Sequence, residues 1–427
     1  MLFTLEPLRA KEGDCLLLHW TDDNGEVRLA VIDGGPGTVY EDHLLPRLDE
    51  IREARGIEQL LLDVVMVSHV DKDHIVGINK LVRDIRGEVE DQVPKDERVF
   101  AMPRLWHNAF DDVIGNALDA HYRSFTASFE AAASGEPQAS TIEKLADAFT
   151  ARAGVSPDEA AHSAFDVAQV LAGHPEGRRL RDDHAFLRTM GATRALNSPF
   201  AHTLITAEQT PQPRAIAGLK FHIIGPLEAQ IEALQEDFDK YLDKEGLDTA
   251  EAVLAAYADK SIPNLSSIVC IVEKGGRRIL LTGDARGDYV LEGLERAGLL
   301  DGNGAIHFDV LKVPHHGSDR NVTAGFFKKV TADVYVLSGD GKHGNPDRLT
   351  FDWIIQSRAK SDEPRILLTY EVDDTDRFRK SENRSSWDHD EDSLKALFAA
   401  RKAEGYKFTV EAGAPITIDL GDESISW

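Results

Sequence analysis

One stretch limits what this chain can fold into: Leu61-Leu62-Asp63-Val64-Val65-Met66-Val67-Ser68-His69-Val70-Asp71-Lys72-Asp73-His74-Ile75-Val76-Gly77. It begins as a short, β-branched, almost continuous apolar run, the pattern of a buried strand. Two histidines and two aspartates then fall between His69 and His74. After them Ile75, Val76, Ile78, Leu81, Val82 and Ile85 recur at helical spacing, so a helix follows. A buried strand that delivers neutral imidazole nitrogens and hard carboxylate oxygens into one loop is the architecture of a divalent-metal site. The plainer alternative is a polar loop that caps the helix, with Asp73 as N-cap and the histidines incidental. A strand followed by H-x-D-x-D-H and a helix is rare by chance, which favours the metal.

The chain has 427 residues, enough for one large domain with insertions or for two domains. At 42% apolar and 29% charged, its composition is that of a globular protein. No apolar run approaches a membrane span, and no membrane partner is expected. Met1-Leu2-Phe3-Thr4-Leu5-Glu6 has no basic region ahead of a long apolar core, so a strand rather than a signal peptide is expected there. Cys15 and Cys270 both sit in apolar runs and give no disulfide framework, which points to the cytoplasm. The net charge of −26 argues against gripping a long polyanion by its backbone. A phosphate substrate remains compatible, because bound divalent cations reverse the local field.

Other segments supply further candidates. Cys15–Leu18 and Leu29–Ile32 read as strands joined by the turn Asp22-Asp23-Asn24-Gly25, and the second runs into Asp33-Gly34-Gly35-Pro36-Gly37. An amphipathic helix is expected over 40–57. From Asp111 to Pro211 the chain becomes Ala-rich and helical, with capping boxes at Ser140-Thr141-Ile142-Glu143 and Ser156-Pro157-Asp158-Glu159. Its basic group Arg178, Arg179, Arg181 and Arg188 reads first as a solvated face, and otherwise as a hold for an anionic substrate group. Later come a hairpin whose second strand, Arg278 to Leu281, presents Asp284, and a strand Phe308–Val313 ending in Pro314-His315-His316-Gly317-Ser318. Strands over Arg365–Tyr370, Lys407–Val410 and Ile416–Leu420 are expected to close the second sheet, with an exposed linker between Glu371 and Asp392.

His69-Val70-Asp71-Lys72-Asp73-His74 resembles the H-x-H-x-D-H motif of the metallo-β-lactamase superfamily, with Asp71 in place of the second histidine. That departure, together with Leu-Leu-Thr-Gly-Asp284 and His315-His316-Gly317-Ser318, is similar to the branch that holds the hydrolase domain of competence DNA-uptake channel proteins and the phosphorylcholine esterases. Lys11-Glu12-Gly13-Asp14-Cys15 is similar to that branch's glycine-aspartate turn. The resemblance implies an α/β fold, an αββα sandwich with an α-helical insertion, divided as 1–110 for the first half, 111–211 for the insertion and 212–427 for the second half with a C-terminal extension. It also implies two metals. One would take His69, Asp71, His107 and Asp284; the other Asp73, His74, Asp284 and His316, with Asp284 bridging. His184 and His202 are spare candidates should His107 fail. Adjacent side chains of an extended chain leave on opposite sides, so the two histidines are not expected on one metal; the resemblance implies His316 as the metal ligand and His315 as the contact to the substrate or leaving group. Asn345 stands before Pro346 where the family often has His, and His343 is offset.

The expected activity is a metal-dependent hydrolase, phosphodiesterase or nuclease-like, in which a hydroxide bridging two divalent ions attacks. Asp73 or Asp71 would orient it and His315 protonate the leaving oxygen. Zinc is the default ion for the superfamily, and Asp71 moves the preference toward manganese. Ser318, Arg178 and Arg179 are the candidate substrate contacts. A small phosphoester, a nucleotide or a short single strand of nucleic acid is the expected partner, and the helical insertion a docking element for a protein. The alternatives are a hydrolase of a neutral ester, thioester or lactam, and a non-catalytic metal-binding interaction protein.

Overall fold

Strands whose side chains alternate between two buried faces need a partner layer on each side, and this requirement organises the chain. The computed structural model describes residues 1–108, 176–200, 204–232, 266–382, 387–413 and 415–425. Within them the protein is mixed α/β. The first sheet takes β1 (Phe3–Pro7), β2 (Leu16–Thr21), β3 (Val27–Ile32), β5 (Val64–Met66) and β7 (Leu105–Trp106), in the order β16-β1-β2-β3-β5-β7 with β16 (Ile418–Asp419). A small parallel pair, β4 (Leu60–Leu61) and β6 (Phe100–Ala101), lies apart from it. The second sheet has the order β15-β14-β13-β12-β11-β10-β9-β8. It uses β8 (Arg214–Ile216), β9 (Leu219–Gly225), β10 (Val269–Lys274), β11 (Arg277–Leu281), β12 (Ile306–Lys312), β13 (Val330–Leu337), β14 (Arg365–Leu368) and β15 (Thr409–Ala412).

One pattern occurs in both sheets. Three antiparallel strands, β1-β2-β3 or β9-β10-β11, are followed by parallel strands reached through helices. In the first, β3 leads through α1 (Leu45–Ala54) to β5, and β5 through α2 (Lys72–Glu90) toward β7. In the second, α3 (Gly287–Arg296), α4 (Ala324–Lys329) and α5 (Arg348–Ser357) precede β12, β13 and β14. The hairpin from β10 to β11 turns on Gly275 and Gly276, both at positive φ, the backbone a two-residue turn with matching twist demands.

Alternation assigns the faces. Leu16, Leu18, Ala30, Ile32, Val64 and Met66 pack against Phe221, Ile223, Cys270, Val272, Ile279 and Leu281, so the two sheets share a core. Leu17, Val31, Val65 and Val67 turn outward to Ile78, Leu81 and Val82 of α2. Leu280, Tyr335 and Leu337 do the same with Leu294, Phe327 and Ile354 on the far side. The helical stretch 176–189 lies inside the segment expected as an insertion, yet its Leu180 and Leu187 join the core of the first sheet's outer face. Residues 109–175, which include both capping boxes, fall outside the described residues.

Two expectations are corrected. β16 does not close the second sheet; it returns to pair antiparallel with β1, Thr4 opposite Asp419, and caps the open edge of the first. The segment after Glu371 is largely exposed as expected but is not a plain linker, since α6 (Val372–Glu382) occupies it. Its Val372 packs on the core ahead of α7 (Leu394–Ala403), whose Leu394, Leu397 and Phe398 are buried there.

The turn after β3 is locked to α2. Gly34 N donates to His74 O at 2.7 Å and Gly77 N to Gly35 O at 3.0 Å. A Cβ at Gly77 would lie 2.0 Å from Gly34 O, whereas one at Gly87, in the same helix, would meet nothing. Gly77→Ala is therefore expected to cost about 1–3 kcal/mol in urea unfolding. Gly87→Ala is expected to stabilise by roughly 0.5–1 kcal/mol; equal effects would show that the Gly34–Gly77 approach does not constrain the fold.

Candidate metal centre

Ligands of open α/β sheets gather at the carboxyl ends of parallel strands, and the candidate residues lie there in both sheets. Asp33 follows β3, His69 to His74 follow β5, His107 follows β7, Asp284 follows β11, and His315 and His316 follow β12. α2 starts at Lys72, with Asp71 at the N-cap position but without a side-chain cap hydrogen bond. The N-cap of α3 is Arg286, not Asp284. These carboxylates are thus not spent on helix ends, and capping does not explain them.

Buried donor atoms gather in two overlapping groups, Asp14, His74, Asp284 and His316 in one and His69, Asp73 and His74 in the other. His316 Nε2 lies 3.3 Å from His74 Nε2, 3.3 Å from Asp73 Oδ2 and 3.3 Å from Asp284 Oδ2. His74 Nε2 lies 3.4 Å from Asp284 Oδ2 and 3.6 Å from Asp73 Oδ2. Bonds of ~2.0–2.1 Å in a tetrahedron set their ligand atoms about 3.3 Å apart, so this spacing fits a zinc-sized ion. Asp73, His74, Asp284 and His316 are the quartet of ligands expected for the second metal; His74, Asp284 and His316 fall in one group, while Asp73 groups with His74 and with His69, a ligand expected for the first.

Each imidazole is aimed by its other nitrogen. His74 Nδ1 donates to Asp33 Oδ2 at 2.9 Å. The same carboxylate accepts from Ser68 N and Ser68 Oγ, both at 2.7 Å. His69 Nδ1 bonds Ser68 Oγ at 3.0 Å, and His316 Nδ1 bonds Ser338 Oγ at 3.0 Å. Ser338 Oγ in turn donates to Asp14, whose other oxygen is paired with the buried Lys312. With Nδ1 engaged in each ring, Nε2 is left for an ion. Asp14 lies close enough to His74, Asp284 and His316 to be counted as a ligand itself. Its contacts are nevertheless with Lys312, with Ser338 and with the Nδ1 atoms, 3.4 Å from that of His316, so it belongs behind the ligands.

The premise that His315 and His316 lie on an extended chain is corrected. Both adopt left-handed backbone, φ 48 and 52, in the turn Pro314–Gly317. Such residues cost of order 1–3 kcal/mol each and persist where the surroundings dictate them. The result is that both rings approach Asp284 Oδ2, His315 Nε2 at 3.6 Å and His316 Nε2 at 3.3 Å. His316 is sealed, while the His315 side chain is 13% exposed.

The first metal's expected ligands are less tightly gathered. His69 Nε2 lies 3.4 Å from Asp71 Oδ2 and 3.7 Å from Asp284 Oδ2. His107 is buried beside them in sheet order but outside the groups whose ligand atoms converge. Its backbone is clamped by Asn197, which accepts from His107 N at 2.8 Å and donates to His107 O at 3.1 Å. Even so, His69 Nε2, Asp71 Oδ1, Asp284 Oδ1 and both ring nitrogens of His107 are buried with no hydrogen-bond partner. Orphaned buried polar atoms are costly and rare, and an ion would satisfy them.

The remaining candidates divide. Ser318 is buried next to the histidine turn, its backbone N bonded to His315 O at 2.8 Å. Arg179 is exposed and paired with Glu176, as a solvated face would be. Arg178 is half-buried in the same helix. Arg181 is the arginine that bears on the site, through His107. His184 bonds Arg194 O at 3.1 Å and is structural; His202 lies outside the described residues. The sequence marks Asp14 only as part of the glycine-aspartate turn Lys11–Cys15, without a role at the metal, and does not mark Lys312. The available signal is a lysine between the buried apolar residues Val310, Leu311 and Val313.

Charge is concentrated here. Burial alone would raise the Asp284 carboxyl, but His316, His74 and His315 hold it well below the usual carboxylate range. Asp73 is likewise lowered against its burial by His74 and His316, whereas burial keeps Asp71 raised. Burial would lower His74 and His316, yet Asp284 with Asp73 and Asp33, or with Asp14, raises both well above the ordinary imidazole value. His107, desolvated and near Arg181 and His184, falls to about 3 and is neutral.

No known family model matches the chain, and no curated protein matches it either. Among the described residues no helix is long and apolar enough to cross a membrane.

An ion at this quartet must displace protons from His74 and His316. Their raised values mean that, without an ion, each contributes stability present below about pH 6.5 and lost as pH rises through the folded value. Metal binding needs both rings neutral, so its stabilisation runs the other way. The rise in melting temperature on adding zinc or manganese is expected to be larger at pH ~8 than at pH ~6. An equal or larger rise at the lower pH would count against these histidines as ligands.

Proposed function

We propose that this protein is a metal-dependent hydrolase with an αββα metallo-β-lactamase-like sandwich, holding two divalent ions and acting on phosphodiesters. The observation that carries the reading is the approach of His316 Nε2 to His74 Nε2, Asp73 Oδ2 and Asp284 Oδ2, each at 3.3 Å, with His74 Nε2 at 3.6 and 3.4 Å from the same two carboxylates, beside the orphaned atoms of His69, Asp71 and His107. The layering of two face-to-face sheets with helices outside, and the motif resemblance, support the family reading. Zinc is the first expectation and manganese the second, because four of the proposed ligands are histidines and three are carboxylates.

Two divalent cations supply Lewis-acid charge that polarises a phosphoryl group and lowers the pKa of nearby water. The chain's own residues do the rest. Asp284 Oδ2 faces the Nε2 atoms of His69, His74, His315 and His316, so it is placed to be shared between the two sites. His315, on the partly exposed rim, is placed to give a proton to a leaving oxygen. A purely structural metal site would not need such a group at its rim. The acidic surface favours a small phosphoester, a nucleotide or a short single strand over a long duplex.

Chelator-stripped protein supplied with zinc or manganese is expected to hydrolyse bis-p-nitrophenyl phosphate. Asp284→Ala is expected to abolish turnover with secondary structure retained by circular dichroism. His315→Ala is expected to lower kcat by about 10²–10⁴ with bound metal unchanged. Two ions bound without phosphodiester turnover would redirect the reading to a neutral ester, thioester or lactam; no ion bound would leave an interaction protein.

A further inference from the structure

Lys312 is the last residue of β12, in a strand whose neighbours Leu311 and Val313 are fully buried. It is itself 1% exposed, the one lysine or arginine buried to this degree among the described residues. Its Nζ pairs with Asp14 Oδ2, donates to Gly283 O at 3.4 Å and lies 3.9 Å from Asp284 Oδ1. Asp14 Oδ1 accepts from Ser338 Oγ and lies 3.4 Å from His316 Nδ1. Two contact paths therefore leave this ammonium, one through Asp14 to His316 and one directly to Asp284. They meet again where His316 Nε2 and Asp284 Oδ2 stand 3.3 Å apart.

A buried ion pair is a weak stabiliser, because desolvating both charges offsets their attraction. Stability alone does not account for Lys312. Charge and ligand choice do. Asp14, Asp33, Asp71, Asp73 and Asp284 are all buried around the centre, and Lys312 together with two divalent ions would balance their five charges. Asp14 also lies close enough to His74, Asp284 and His316 to join them on an ion; the contact with Lys312 keeps its oxygens turned away.

We propose that Lys312 is a positioning residue of the metal centre, a fixed internal cation that holds Asp14 behind His316 and keeps it off the ion. The inference rests on the two-metal reading and adds the device that defines one ligand set. Without the ammonium, Asp14 swings toward the quartet and His316 loses its backing. With both charges removed, neither happens.

The test is metal binding by the full chain, read as zinc affinity by chelator competition and as the visible absorption of the cobalt-substituted protein. Lys312→Met is expected to weaken one of the two equivalents about tenfold to a hundredfold and to change the cobalt spectrum, because a carboxylate enters the ligand set. The double variant Asp14→Asn with Lys312→Met leaves no unpaired charge, so it folds even if the single variant does not. It is expected to keep the wild-type cobalt spectrum and to bind zinc within about tenfold of wild type. Wild-type affinity and spectrum in Lys312→Met overturn the proposal and leave the two-metal reading standing. A double variant as weak as the single one, or more than tenfold weaker than wild type where the single does not fold, overturns it as well. A wild-type protein that binds no ion overturns the two-metal reading, and this inference with it.

Discussion

One carboxylate oxygen holds this centre together. Asp284 Oδ2 lies between 3.3 and 3.7 Å from the Nε2 atoms of four histidines that arrive from two sheets. His69 and His74 come with the first sheet, His315 and His316 with the second, and Asp284 stands at the end of β11 between them. Three of these rings are aimed at the oxygen by a hydroxyl or carboxylate on the other nitrogen: Ser68 for His69, Asp33 for His74, Ser338 for His316. A small rotation of one sheet against the other would separate the pairs. The shared apolar core between the sheets is therefore what sets the site's geometry.

The backbone around the centre shows the same dependence. Asp33, His315 and His316 all sit at positive φ, where residues with a Cβ are disfavoured. Asp33 is held there by its two bonds from Ser68 and by the adjoining Gly34 pressed on Gly77. The histidine turn is held by Ser318 N on His315 O and by the packing of Gly317 against Leu337 and Pro346. In both places local conformational cost is offset by tertiary contact, and in both the outcome is a ring or carboxylate aimed inward.

Much of this was legible in the chain. The run from Leu61 to Gly77 is the clearest case, because a continuous apolar run and helical spacing meet at a loop of histidines and aspartates, and strand and helix form on either side of it. The turns at Gly25 and at Gly275-Gly276 carry their own backbone chemistry. Less was legible where partners are distant. Asp14 meets Ser338 across 324 positions, and Thr4 meets Asp419 across 415. No local pattern encodes either contact. Lys312 reads as an odd residue in a strand until Asp14 is placed beside it.

What the sequence determined alone is the set of chemical groups and the elements that carry them: which strands are buried on both faces, and which loops hold histidine and aspartate. Local periodicity and turn chemistry suffice for that, since they act over a few residues. Tertiary structure alone decided which nitrogen of each histidine faces inward and that His315 and His316 converge instead of diverging. It also decided that Asp14 backs the ligands and that β16 closes the first sheet instead of the second. Those outcomes depend on two sheets sharing one core, and packing at that distance is written in no single stretch of the chain.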